Sequence, residues 1–196
     1  EEEIFVAAAK IRVTVDAKYY LEHFVFIDEE GHGLRPLYPL WESQRFVMNR
    51  LAAVEERHER EGHPDGLLVN VLKSRQLGIS TFAEALISHR IFTQPFVRAI
   101  SGSDVEEQAR YLFKMVERIY ANLPWFLKPN KIVPYQAGRE LNLENNSSLK
   151  AAWSKTTRGA LQEAGGRKGH IERGRTNSCV HMCLSPHTLI RTAHGF

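Results

Sequence analysis

The chain has 196 residues, 43% apolar and 25% charged, an ordinary composition for a soluble globular protein and a length for one domain, or one domain and a piece of another. No run approaches the roughly 18 apolar residues of a membrane span. The acidic opening EEEIFVAAAK lacks the basic start of a secretory signal, so a cytoplasmic protein is expected.

The net charge of +3 is uneven: residues 1–129 carry 16 Lys/Arg against 19 Asp/Glu, and residues 130–196 carry 10 against 4. The basic C-terminal third suits a phosphate-bearing partner, and equally a solvated basic surface. Two cysteines, Cys179 and Cys183, make neither a disulfide framework nor a metal knuckle. The chain opens on Glu1 rather than methionine, which suggests a trimmed or partial chain.

In chain order, YYLEHFVFIDEEG reads as a short strand over residues 23–27 running into a turn at Gly31 and Gly33. PLWESQRFVMNRLAAVEERHER has Trp41, Phe46, Val47, Leu51 and Val54 at helical spacing, and the amphipathic helix it predicts ends at the breakers EGHPDG. LLVNVL, residues 67–72, has the compact apolar character of a buried parallel strand. ISTFAEALISHRIF follows as a helix and FVRAIS, residues 96–101, as the next strand. SDVEEQARYLFKMVERIYANLP predicts a helix with Ser103 and Glu106 as a capping box, ending before Pro124. RELNLENNSSLKAAWS reads as a β-hairpin, residues 140–143 and 149–153 around ENNSS. GGRKGHIERGR reads as a loop and TNSCVHM as one more strand. The alternation of strands and helices implies an α/β fold with a parallel sheet flanked by helices, and a hairpin near the C-terminus.

VLKSRQLGIST, residues 71–81, lies between an expected strand and an expected helix. Such a loop presents backbone N–H groups to phosphate. The usual spacing GxxxxGK[ST] puts a lysine after the last glycine. Here Ile79 stands in that place, but Lys73 opens the loop and Arg75 follows two residues on, so a long cation reaching in from the other side fills the role. The bland alternative is a strand–helix turn with surface Lys and Arg.

LKSRQLGIST resembles the variant phosphate loop of the large terminase subunit, the ATPase motor that packs DNA into phage capsids, in which the basic residue sits at the loop start. The flanking blocks are similar to the family in the same order: FVFIDEEGHGLRPLYPLWESQRFVMNRL before the loop, FVRAISGSDVEEQARYLFKMVERIYANLPWFLKP after it, and then RELNLENNSSLKAAWS. The resemblance implies an incomplete P-loop NTPase-like sheet over residues 1–182, binding ATP and Mg²⁺. Lys73 would neutralise the β/γ-phosphates and Arg75 assist. Lys73, Ser74, Arg75, Gln76, Leu77, Gly78, Ile79, Ser80 and Thr81 would surround the nucleotide. Ser80 would ligate Mg²⁺, with Thr81 as its understudy, and Gln44 would contact adenine. The implied partners are double-stranded DNA, a portal protein, a small terminase subunit and further copies in a ring, in the host cell cytoplasm with no membrane. Arg158 and Arg173 are candidate phosphate sensors or plain loop arginines, and Trp125 and Trp153 read as packing residues.

SCVHM is similar to the family's next strand, after which an acidic pair is expected. The chain reads CLSPHTLIRTAHGF instead, which resembles the opening block of an intein over residues 183–196, through Cys183, Leu184, Ser185, Thr188, Leu189, Ile190 and Gly195, with His187 in place of a usual Asp. Cys183 would be the splicing nucleophile. His187 or His194 as its base, or an ordinary strand and turn, remain alternatives. The expectation is a terminase ATPase part carried as a precursor and inactive as it stands. The alternatives are a split intein precursor whose function is splicing, and a nucleotide- or DNA-binding module without hydrolysis.

Overall fold

The computed structural model describes residues 2–29, 31–61, 71, 77–103, 105–132 and 139–153. The expected strands at 67–72 and in TNSCVHM lie outside them.

The N-terminal region is helical, where no helix was expected. Helix α1 spans Glu2–Val15 and α2 spans Ala17–His23. Asp16 separates them and caps α2, its carboxylate accepting the Tyr19 N–H at 3.0 Å. The expected strand at 23–27 is therefore corrected. Residues 17–23 wind into a helix because that places Tyr20 and Leu21 together in the core, and strand β1 begins only at Phe26–Glu29. It pairs antiparallel with β2, Gly33–Pro36, around the expected turn, where Gly31 and Gly33 take φ of 82° and 72°.

Helix α3, Glu42–Glu61, and helix α4, Ile79–Thr93, lie where helices are expected. The expected apolar face of α3 is only partly buried: Val47, Leu51 and Val54 are half-buried, whereas Phe46 is exposed, as is Trp41 just before the helix. Strand β3 is Arg98–Ser103, two residues later than expected at both ends. Phe96 takes φ of 61° and turns the chain, its N–H bonded to the Asn145 carbonyl at 3.1 Å, so it cannot lie in an extended strand.

Helix α5, Glu106–Asn122, ends as predicted before Pro124. Its capping box does not form. Ser103 is still paired with Trp153 in the sheet, so Val105 occupies the cap position with no side-chain hydrogen bond. Glu106 turns its carboxylate to Arg110 at 2.7 Å and Arg139 at 3.3 Å. A 3-10 turn at Trp125–Leu127 precedes β4, Glu140–Asn142, and β5, Ser148–Trp153.

β4 and β5 pair antiparallel across the ENNSS turn, while β5 runs parallel to β3, in the order β3-β5-β4. Among the described residues the larger sheet is thus mixed rather than wholly parallel. The β3–α5–β5 passage makes an α/β architecture, with α5 packed on β1, β3 and β5. A single apolar cluster, including Tyr20, Phe82, Ile91, Phe113, Val116, Leu141 and Leu149, joins α2, α4, α5 and the sheet.

Candidate functional site at the start of helix α4

Helix α4 begins at the loop singled out in the sequence. Its cap residue, Gly78, sits at φ 64° and ψ 10°, a left-handed conformation that costs an L-residue roughly 1–2 kcal/mol. A Cβ built on Gly78 would lie 2.7 Å from Gln44 Nε2 and 3.2 Å from the Trp41 ring. Both the dihedral and the close approach therefore call for glycine here.

The neighbours are fixed by α3, whose first turn faces the loop. Gln44 Nε2 donates to the Gly78 carbonyl at 3.0 Å, and Gln44 Oε1 accepts the Trp41 N–H at 3.0 Å. Ser43 Oγ donates to the Leu77 carbonyl at 3.0 Å. Gln44 is only 3% exposed, whereas Trp41 beside it is 47% exposed. Thirty-four residues of chain are thus bridged by two side chains of WESQ onto two consecutive carbonyls of the loop. Each end of the Gln44 amide has capacity for one hydrogen bond more, one donor and one acceptor.

Beyond Gly78 the backbone enters α4, and the N–H of Phe82 is the first to bond back, to the Gly78 carbonyl at 3.0 Å. The N–H groups of Ile79, Ser80 and Thr81 open the helix and have no i−4 partner within it, at an end where the helix dipole favours an anion. Gly78 has no side-chain capping bond to occupy them. Ile79 is buried in the core, and Ser80 and Thr81 are half-buried in the first turn. The structure therefore brings Gln44, Leu77, Gly78, Ile79, Ser80 and Thr81 into one place. Lys73, Ser74, Arg75 and Gln76 lie outside the described residues, as do Arg158, Arg173, Cys183, His187 and His194. Trp125 is exposed on the surface, and Trp153 ends β5 with the Arg139 guanidinium 5.3 Å from its ring centre. Among the described residues no group of three His, Cys, Asp or Glu side chains could hold a metal. No helix among the described residues is long and apolar enough to cross a membrane.

Sequence reasoning missed Trp41 and Ser43, though both lie within three residues of Gln44. It also missed a buried carboxyl. Glu84, one turn after Ser80, is fully buried, and its Oε1 accepts the Ser101 hydroxyl of β3 at 2.6 Å. Its Oε2 has no partner among the described residues. Burial pushes this carboxyl up to about 8, against a smaller opposing pull from Ser101. Further along α4, His89 Nε2 meets the Val13 carbonyl at 2.7 Å and burial brings its imidazole down to about 4. The i, i+4 spacing from Ser80 to Glu84 could have flagged the first of these. Nothing in the sequence pointed to His89.

No protein-family profile and no curated protein matches the chain.

Proposed function

We propose that the chain is the nucleotide-binding part of a DNA-packaging ATPase of the large-terminase type. The observation that supports the reading most directly is the Gln44 bond to Gly78. A glutamine expected at the nucleotide base and a glycine expected at its phosphates lie far apart in sequence, yet they are in contact. A left-handed glycine followed by open N–H groups at a helix start is also the geometry an anionic phosphate requires.

In this reading the N–H groups of Ile79, Ser80 and Thr81 receive the β-phosphate, and Lys73 and Arg75 supply the positive charge that Ile79 cannot. The Ser80 hydroxyl is the Mg²⁺ ligand, with Thr81 beside it. Held there by Ser80 with Thr81 beside it, Mg²⁺ would supply positive charge to offset that of the phosphates during transfer to water. Gln44 keeps Gly78 in place while its remaining donor and acceptor suit the N7 and N6–H₂ edge of adenine, the pairing an amide makes with that base. DNA, a portal protein, a small terminase subunit and neighbouring copies in a ring are the partners such a motor engages, in a phage-infected cell.

Residues 183–196 support a second element of the proposal, an intein opening. The Cys183 thiol would add to the Met182 carbonyl. The S–C bond forms, the C–N bond breaks, and the thiol proton passes to the freed amine, leaving a thioester.

The experiment is a nucleotide-binding titration with and without Mg²⁺ on the chain and on Lys73→Ala, with ATPase turnover on the spliced full-length protein. The expected result is a loss of nucleotide binding and a roughly 10²–10³-fold fall in turnover, the effect of removing one preorganised charge-stabilising group. Unchanged affinity and turnover would remove the motor reading. Incubation with an excess thiol tests the second element by mass spectrometry, which should show a product ending at Met182 that is lost in Cys183→Ala.

A further inference from the structure

Helix α1 has two apolar faces, and the fold uses only one. Ala9 and Val13 are buried, and the Val13 carbonyl accepts the His89 Nε2–H at 2.7 Å, which fixes α1 against α4. On the other side Ile4, Ile11 and Val15 are 75%, 68% and 59% exposed, with Ala8 exposed between them. Their spacing is 4-3-4. At 100° per residue these four side chains fall in a band about 60° wide along the helix. A band of that width and spacing is the seam that one helix presents to another. Phe5 flanks it, and the 3-10 turn that packs on α1 carries the exposed Trp125.

We propose that this seam is a homotypic interface, in which α1 of one copy lies antiparallel on α1 of a second. Size and charge select this occupant and this direction. In the antiparallel register Ile4 of one copy faces Val15 of the other, and Ala8 faces Ile11. All four layers are complete, and each small residue meets a large one. A parallel pair would stack Ala8 on Ala8, leaving a gap, and would set Glu2 and Glu3 beside their own copies with both helix dipoles aligned. The antiparallel pair opposes the dipoles and separates Glu2 and Glu3 from their own copies, bringing them to the far end of the other α1, where the Lys18 ammonium lies 3.8 Å from Glu22 and is 62% exposed. The Asp16 carboxylate at that end is turned to the Tyr19 N–H. The pair is isologous, unlike the head-to-tail contacts of a ring, and it does not depend on the nucleotide site.

Sedimentation velocity over a range of concentrations tests the proposal on the whole chain, beside the Ile4→Glu/Ile11→Glu variant. Both positions are exposed, so the variant should keep its far-ultraviolet dichroism. The expected result is a dimer that grows with concentration and is lost in the variant. Direction is read separately by oxidative cross-linking in a Cys179→Ser/Cys183→Ser background. A mixture of Ala8→Cys and Ile11→Cys chains should cross-link, and Ala8→Cys alone should not. A monomer at every concentration, a dimer indifferent to the two glutamates, or cross-linking of Ala8→Cys to itself in preference to the mixture would each overturn the proposal.

Discussion

Gly78 and Gln44 are coupled through a single contact, and that coupling can be measured. Replacing Gly78 by alanine forces a Cβ into a left-handed backbone and to within 2.7 Å of Gln44 Nε2. The backbone component alone should cost about 1–2 kcal/mol, and the displaced amide adds to it. In a Gln44→Ala background the amide is gone, although the Trp41 ring still crowds the site from 3.2 Å. Gly78→Ala should therefore destabilise the Gln44→Ala protein less than it destabilises the wild type. A urea-denaturation double-mutant cycle reads the difference, expected in the range of about 0.5–3 kcal/mol for groups in contact. Strict additivity would mean that the amide is not held where it lies. At this scale the sequence was half legible. Gly78 could be marked as the bend because it stands between an apolar run and a helical one. The distance from Gln44 to that bend could not be read from spacing, since a separation of 34 residues can place α3 anywhere around the loop. Lys73 and Arg75 were singled out from the spacing of the loop, and only resemblance favoured a phosphate role over a surface one, because no periodicity distinguishes a loop cation that faces a phosphate from one that faces water.

Among the elements, α4 is held at both ends by residues distant in the chain. At its C-terminal end the ENNSS turn of the hairpin does the holding. Asn145 Nδ2 donates to the Ile91 carbonyl at 2.9 Å and to the Gln94 carbonyl at 3.1 Å, and Ser147 Oγ donates to Gln94 at 2.7 Å. These carbonyls would otherwise end the helix unpaired. Asn145→Ala should lower stability by about 1–2 kcal/mol, the cost of stranding a buried acceptor. Asn145→Asp should be worse than alanine, since a carboxylate offers only acceptors to two carbonyl oxygens. Thermal denaturation of the two variants gives the order directly, and an aspartate as stable as asparagine would show that Nδ2 is not the bonding group. The hairpin, α3 and α5 were readable because turn residues and a 3.6-residue period leave local marks, whereas α4, buried on most of its faces, carries no such period. The strand expected over HFVFI started too early because two phenylalanines and a valine resemble a strand, and only Phe26 and Ile27 of it lie in β1; the competing signal, Asp16 as a cap three residues before Tyr19, is weak without knowledge of what Tyr20 packs on. Helix α1 escaped notice because apolar residues on two faces blur its amphipathic period.

For the molecule as a whole, the protons on α4 should set how stability responds to pH. The carboxyl of Glu84 holds its proton up to about 8 in the fold, whereas in the unfolded chain it ionises near an ordinary carboxylate value. The folded state thus binds more protons between those limits, so this contribution is complete below about 4.5 and is lost as pH rises through about 8. His89 has the opposite sign. Its imidazole stays neutral down to about 4, so its contribution is present above about 6.5 and is lost as pH falls through about 4. Desolvation dominates both shifts, with Ser101 facing Glu84, and with the Val13 carbonyl, Arg90 and Asp16 acting on His89. From about 4.5 to 6.5 the two slopes oppose each other, and above that range only the Glu84 slope remains. Unfolding free energy should therefore form a plateau on the acid side and fall between about 6.5 and 8, by on the order of 1 kcal/mol per pH unit at its steepest. Glu84→Gln keeps an acceptor for Ser101 and cannot ionise, so it should abolish the alkaline fall and leave a profile that rises to about 6.5 and then stays level. Urea titrations at half-unit pH intervals distinguish the two profiles. A wild-type curve that is flat from 6.5 to 8 would show that Glu84 is charged inside the fold, and would require a cation to face its second oxygen.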